Sequence, residues 1–234
     1  MHEHQVKCLL MGGQACVLYG AAEFSRDTDL AILASEENKL RLEAALESLE
    51  AEVIAVPPFL LSHLEAGHAV HFRCHHPEVA GMRVDIMSRM RGVADFSVLW
   101  ERRTTLEMED GTLCDLLSLP DLVKAKKTQR DKDWPMIRRL LEASFFANRS
   151  SPTPEQLLFW FHELRTPELL MEITGSHPMI AQQLRATRPA VEHAICGDVS
   201  ALQTALTAEE HDERTKDQAY WLPLKIELER LRRR

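Results

Sequence analysis

The sequence predicts an α+β fold: a mixed β-sheet flanked by helices, followed by an all-helical C-terminal region. Three observations predict it. Short apolar runs bounded by glycine, proline or aspartate alternate with helical patterns early in the chain, as strands layered against helices do. Two turn-rich stretches, His75-His76-Pro77 with Gly81 and Glu109-Asp110-Gly111, each separate a pair of such runs in the manner of hairpins. From Thr153 onward no strand pattern appears.

In order, Val6 to Met11 reads as a strand that ends in the turn Gly12-Gly13, and Gln14 to Tyr19 as a brief helix closed by Gly20. Leu30 to Leu33 is a strand that starts directly after a pair of aspartates. Glu37 to Leu49 carries leucines at 40, 42, 46 and 49 among good helix formers, an amphipathic helix for covering a sheet. Val53 to Val56 is a strand stopped by Pro57-Pro58, ahead of the apolar segment Phe59 to Leu64. Ala69 to Cys74 pairs with Met82 to Met87, and Thr104 to Met108 with Thr112 to Leu117. Beyond Leu119-Pro120 the pattern turns helical: Asp121 to Lys127, Trp134 to Phe146, Thr153 or Pro154 to Leu164, Pro167 to Ile173, Pro178 to Arg185, Val199 to Leu206 and Tyr220 to Leu231. Ser150-Ser151-Pro152 is the expected boundary between a domain of residues 1–150 and a helical domain of residues 151–234.

Composition narrows the class. The 234 residues are 45% apolar, with 9 glycines and 11 prolines, an ordinary globular balance. A net charge of -8 argues against a general nucleic-acid binder, whose contact face must neutralise phosphates. The basic end, Lys225, Arg230, Arg232, Arg233 and Arg234, reads as a solvated helix terminus. Five scattered cysteines form no CxxC pair, so neither a disulfide framework nor a cysteine zinc knuckle is expected. A polar N-terminus and the lack of any long apolar stretch make a cytoplasmic protein with no membrane span the expectation.

The chemistry-bearing feature is Asp27-Thr28-Asp29. Alternate positions of a strand share a face, so the two carboxylates converge while Thr28 turns away. Like charges that close are unfavourable without a cation. Mg²⁺ or Mn²⁺, with its demand for hard oxygen ligands shared with phosphates, answers that need. Arg83-Val84-Asp85-Ile86 offers a third carboxylate in strand context, with Val84 and Ile86 facing the core. Gly12-Gly13, between a strand and a helix, presents backbone N–H groups suited to phosphate. Thirteen residues separate Gly13 from Asp27.

The stretch GGQACVLYGAAEFSRDTDLAIL resembles the signature of the DNA polymerase beta-like nucleotidyltransferase superfamily, most closely its minimal and AbiEii toxin-type members. LSLPDLVKAKKTQRDKDWPMIRRL resembles the later segment of the same pattern, and the likeness covers roughly residues 6 to 148. The resemblance implies that Gly12 and Gly13 cradle a triphosphate and that Asp27, Asp29 and Asp85 bind metal. It implies that Ser25 contacts a phosphate or fixes the turn, and that Lys126, with Lys127 its rival, contacts the nucleotide. Arg130 and Lys132 become phosphate or acceptor contacts, and Asp133 holds Lys126 or caps the next helix. One departure stands out: Glu23 occupies a position where the family commonly has arginine.

The implied activity is transfer of a nucleoside monophosphate from an NTP to a hydroxyl of a small molecule, a protein or an RNA end. Two alternatives accompany it: a catalytically silent scaffold or partner-binding protein that kept the fold, and a toxin-type transferase acting on tRNA, which the acidic charge does not favour. His68, His71, His75 and His76 read as solvated hairpin histidines rather than a zinc site. Leu157 to Phe161 reads as a core helix or an interface with a partner, including a second copy. Trp100 and Trp134 read as packing residues.

Overall fold

A computed structural model describes residues 1–233 of the chain. Two compact units emerge: Met1–Lys126 joined by the chain end from Ala219, and Lys127–Gln218. The first is the mixed sheet flanked by helices, and the second is all helical. No helix among the described residues is long and apolar enough to cross a membrane.

The first unit runs β1 (Cys8–Met11), α1 (Gly12–Leu18), β2 (Asp27–Ile32), α2 (Glu36–Ser48), β3 (Glu52–Val53), α3 (Leu61–Ala66), β4 (Val70–Arg73), β5 (Arg83–Met87), α4 (Phe96–Glu101), β6 (Thr104–Glu107), β7 (Leu113–Leu116) and α5 (Leu119–Ala125). A seven-stranded sheet has the order β3-β4-β5-β2-β1-β7-β6. β1 and β2 pair antiparallel, whereas β2 lies parallel to β5 and β1 parallel to β7. Both expected hairpins form, β4 with β5 and β6 with β7. Leu9, Ala31, Ile32, Val70, Val84 and Ile86 are buried; consecutive residues of β1 and β2 are buried, so these central strands are covered on both faces.

Several bounds differ from expectation for local reasons. β2 begins at Asp27, so the aspartates lie within the strand rather than ahead of it. Gly12 and Gly13 open α1, so the glycine turn is the first turn of that helix. Ser35 caps α2, its hydroxyl accepting from the Asn38 N–H at 3.2 Å. The same Asn38 side chain, buried, ties the start of β1 to the end of β2. It accepts from the Lys7 N–H at 2.7 Å and donates to the carbonyls of Lys7 and Leu33 at 3.1 and 2.9 Å. Asp121 anchors α5: the Arg102 guanidinium donates to both its oxygens at 2.6 Å, and the Ser118 hydroxyl donates at 2.7 Å.

The second unit holds α6 (Asp133–Asn148), α7 (Pro154–Glu163), α8 (Pro167–Ser176), α9 (Pro178–Leu184), α10 (Pro189–Cys196) and most of α11 (Val199–Arg232). The units divide at Lys126 rather than near residue 150, because α6 belongs with the helices that follow it. Its Phe145 ring meets Trp160 at 5.0 Å, and the Trp160 indole donates to the Ser144 hydroxyl at 3.1 Å. Trp160 and Phe161 are buried in this helical core. The helices expected at 199 and 220 are one 34-residue helix, with Pro223 inside it. The intervening residues propagate it through i,i+4 pairs, Arg214 with Glu210 and Lys216 with Asp212.

Asn38 holds the β1–β2 register that places Met11 opposite Asp29. Replacing it with leucine leaves the Lys7 N–H without its acceptor and takes one of two donors from each of the Lys7 and Leu33 carbonyls. Asn38→Leu is expected to cost about 1–3 kcal/mol in urea unfolding, with the slope unchanged.

Candidate active site

The sheet brings the three predicted aspartates onto one face in the first unit. In the parallel β2–β5 pair Asp29 lies directly opposite Asp85, and Asp27 precedes it by two residues on the same face. β2 is exposed at Asp27 and fully buried by Leu30, so the carboxylates sit where the strand leaves the core. Val84 and Ile86, on either side of Asp85, are buried as expected.

The glycines fit against this strand with no space to spare. Gly12 has φ of +68°, and a Cβ there would lie 1.8 Å from the Asp29 Oδ2. A Cβ on Gly13 would lie 2.3 Å from the Ser25 hydroxyl oxygen. Two separate constraints, a left-handed backbone and contact with a carboxylate, therefore exclude a side chain at Gly12. The Gly13 N–H donates to Asp29. The Ser25 hydroxyl donates to the Asp27 carbonyl at 3.3 Å and so braces the turn into β2. The Cys16 thiol, 3.1 Å from the Gly12 carbonyl, closes the back of the glycine turn.

Burial pushes the Asp29 carboxyl above the usual aspartate range, and the charges of Asp85 and Asp27 add to the effect. Lys126 and the Gly13 N–H oppose it. Asp85 goes the other way. Burial alone would raise it, but hydrogen bonds from His71 and Arg83 outweigh burial and hold it below its usual value. The Arg83 Nε donates to Asp85 Oδ1 at 2.7 Å, and His71 Nδ1 lies 2.8 Å from the same oxygen. His71 stands opposite Asp85 across β4–β5. It is thus a partner of the site rather than a solvated hairpin residue. Neither His71 nor Arg83 carries a motif that marks it; Arg83 shares the face of Asp85 as its i−2 neighbour on β5, whereas strand pairing alone brings His71 there.

The basic residues divide between the units. Lys126, at the C-terminal cap of α5, is buried and its charge acts on Asp29. Lys127 instead pairs with Glu163 at 2.7 Å in the helical unit. In that unit Arg130 donates to Asp133 at 2.7 Å, and Asp133 also accepts from the Thr128 hydroxyl at the first turn of α6. Trp134 is a packing residue, buried with the guanidiniums of Arg165 and Arg214 over its ring at 5.1 and 5.6 Å.

The oxygens of Asp27, Asp29 and Asp85 do not all approach within 4.8 Å of one another. Among the described residues the only three metal-ligating groups that do are His63, His68 and Glu227, a cluster capable of coordinating a metal ion. His68 is fully buried, contrary to its expected solvation. All five cysteines are free thiols, and burial pushes Cys8 up to about 11, far from a nucleophile's range. No protein-family model and no curated protein matches the chain.

Two outcomes follow from this geometry. Gly12→Ala adds a left-handed strain of about 1–2 kcal/mol to an overpacking cost of about 1–3 kcal/mol, so a loss of roughly 2–5 kcal/mol is expected in urea unfolding. Asp29→Asn keeps an oxygen for the Gly13 N–H while removing the crowded charge. An acid whose folded pKa is raised loses stability as pH rises through that range. In chelator near neutral pH, Asn should therefore raise Tm, by ~2–4 °C for each kcal/mol relieved. The gain should vanish in scanning calorimetry as pH falls below the ordinary aspartate value of 3.8.

Proposed function

We propose that the protein is a divalent-metal-dependent nucleotidyltransferase that moves a nucleoside monophosphate from an NTP to a hydroxyl of an acceptor. One observation carries this reading: the facing of Asp29 and Asp85, with Asp27 on the same face and a glycine turn pressed against Asp29. The buried charge of Asp29, crowded by its neighbours Asp85 and Asp27 and not fully offset, is what a cation relieves.

The donor set suits Mg²⁺, a hard cation that takes carboxylate oxygens and shares them with phosphates. Asp27 and Asp29 would hold it. Both contacts of Asp85 fall on Oδ1, so Oδ2 is the oxygen by which it would join them. When bound, such a metal lowers the pKa of an attacking hydroxyl and neutralises charge on the leaving pyrophosphate. The chain's own groups do the positioning. Gly12 and Gly13 let the backbone lie against Asp29 and Ser25, Ser25 keeps the turn in shape, and Lys126 adds positive charge beside Asp29.

A second reading has its own support: a silent scaffold that kept the fold. Asp85 is already engaged by Arg83 and His71, the three carboxylates stand apart, and Glu23 is exposed.

Transfer is tested by incubating the native chain with Mg²⁺ and each radiolabelled NTP, together with calorimetric binding of non-hydrolysable NTPs. The Asp27→Asn/Asp29→Asn variant should lose Mg²⁺-dependent binding and at least ~10³-fold in turnover, since a metal supplies several kcal/mol. Absence of Mg²⁺-dependent NTP binding by the native chain overturns the proposal. Binding without transfer to any supplied acceptor favours the scaffold.

A further inference from the structure

The first unit contains a cluster with a different donor chemistry from that of the carboxylate face. His63 lies in α3, and Gly67 ends that helix with φ of +101°. The reversal returns the chain on itself: the His68 N–H donates to the His63 carbonyl at 2.9 Å and the Gly67 N–H to the Leu64 carbonyl at 3.0 Å. These are the paired bonds of a Schellman ending. Five residues apart, the two histidines would lie on different faces of a continued helix. After the reversal their rings stand 5.9 Å apart, at 76° to each other.

The third member comes from the end of α11. Tyr220, Leu224 and Glu227 are spaced i, i+4, i+7, a single helical face. A Cβ on Gly67 would meet the Tyr220 hydroxyl at 2.9 Å and Leu224 at 3.6 Å, so this face lies on the loop that carries His68. Glu227 continues it, one oxygen lying 3.0 Å from His68 Nε2. Ligand atoms of His63, His68 and Glu227 all fall within 4.8 Å of one another.

His68 shows that more than an ion pair is built here. Its side chain is fully buried, and neither ring nitrogen has a hydrogen-bond partner. Nε2 is close to Glu227 Oε2 yet lacks the alignment of a hydrogen bond. Two acceptors near 3 Å that do not point at each other are free to direct their lone pairs at a third point. A buried imidazole without partners is otherwise unfavourable, because its nitrogens have lost water and gained nothing in exchange. Around Zn²⁺, with ligands at about 2.0–2.1 Å, tetrahedral neighbours stand ~3.3 Å apart. The cluster reaches that spacing by small side-chain movements, the exposed Glu227 being the freest to move.

We infer that His63, His68 and Glu227 form a binding site for a zinc-class divalent cation, which clasps the end of α11 to the α3–β4 loop. Two imidazoles and one carboxylate suit a borderline ion such as Zn²⁺ and do not suit Mg²⁺, which prefers an all-oxygen shell. Three protein ligands leave the fourth position to water. This site is independent of the nucleotidyltransferase reading.

The full chain, stripped with chelator, is titrated with Co²⁺ alone as a spectroscopic probe and then with Zn²⁺. One equivalent of Co²⁺ should give the visible absorption of a low-coordinate site, and Zn²⁺ should bleach it. At a hundredfold excess over its Kd, Zn²⁺ should raise Tm by roughly 5 °C or more. His63→Gln and Glu227→Gln each remove a ligand without emptying the core, and should weaken binding beyond the ~10–100-fold typical of outer-shell partners. Asp27→Asn/Asp29→Asn should keep both spectrum and Tm shift, so failure here is distinct from failure of the transferase proposal. Absence of the one-equivalent absorption in the native chain, or its survival in both ligand variants, overturns the inference.

Discussion

Two carboxylates held opposite each other across a parallel strand pair set the terms for the rest of the first unit. Register leaves Asp29 facing Asp85, and burial denies Asp29 the water that would otherwise screen it. The fold answers the two charges differently. Asp85 receives a guanidinium from its own strand and an imidazole from the neighbouring one, and becomes a comfortable anion. Asp29 receives a backbone N–H and the field of a buried lysine, which do not fully offset its surroundings. The unresolved charge is therefore concentrated on β2, beside the glycine turn.

That concentration explains several features that look separate. Gly12 has no side chain because a Cβ would occupy the Asp29 carboxylate. Ser25 braces the entry to β2 through the Asp27 carbonyl. Asn38 locks the far ends of β1 and β2, fixing the register that aligns Met11 with Asp29. Arg102 and Ser118 hold Asp121 at the start of α5, whose other end presents Lys126. Each is a local hydrogen-bonding or packing event, and together they maintain one electrostatic arrangement.

The histidine cluster follows a different logic. At the carboxylate face like charges call for a hard cation, whereas at His68 a buried, unpartnered imidazole calls for a ligand-accepting one. The two sites make distinct demands of metal chemistry and depend on different elements. A left-handed glycine and a helix face with Tyr220, Leu224 and Glu227 in register are enough to assemble the second.

By itself the sequence determined the strands, their two hairpins, most helices and the carboxylates on a shared face. Those features arise from local periodicity and turn chemistry, which are written in adjacent residues. The helices α4 and α10 escaped notice because both are short, although Pro189 and Gly197 do bracket α10. The continuity of α11 escaped too, because Pro223 and its charged middle imitate a boundary. Tertiary structure alone decided which lysine acts on Asp29, that His71 engages Asp85, and that His63 meets His68 and Glu227. Those outcomes depend on strand order, on one residue at positive φ and on the return of the chain's end, long-range facts that residue spacing does not encode.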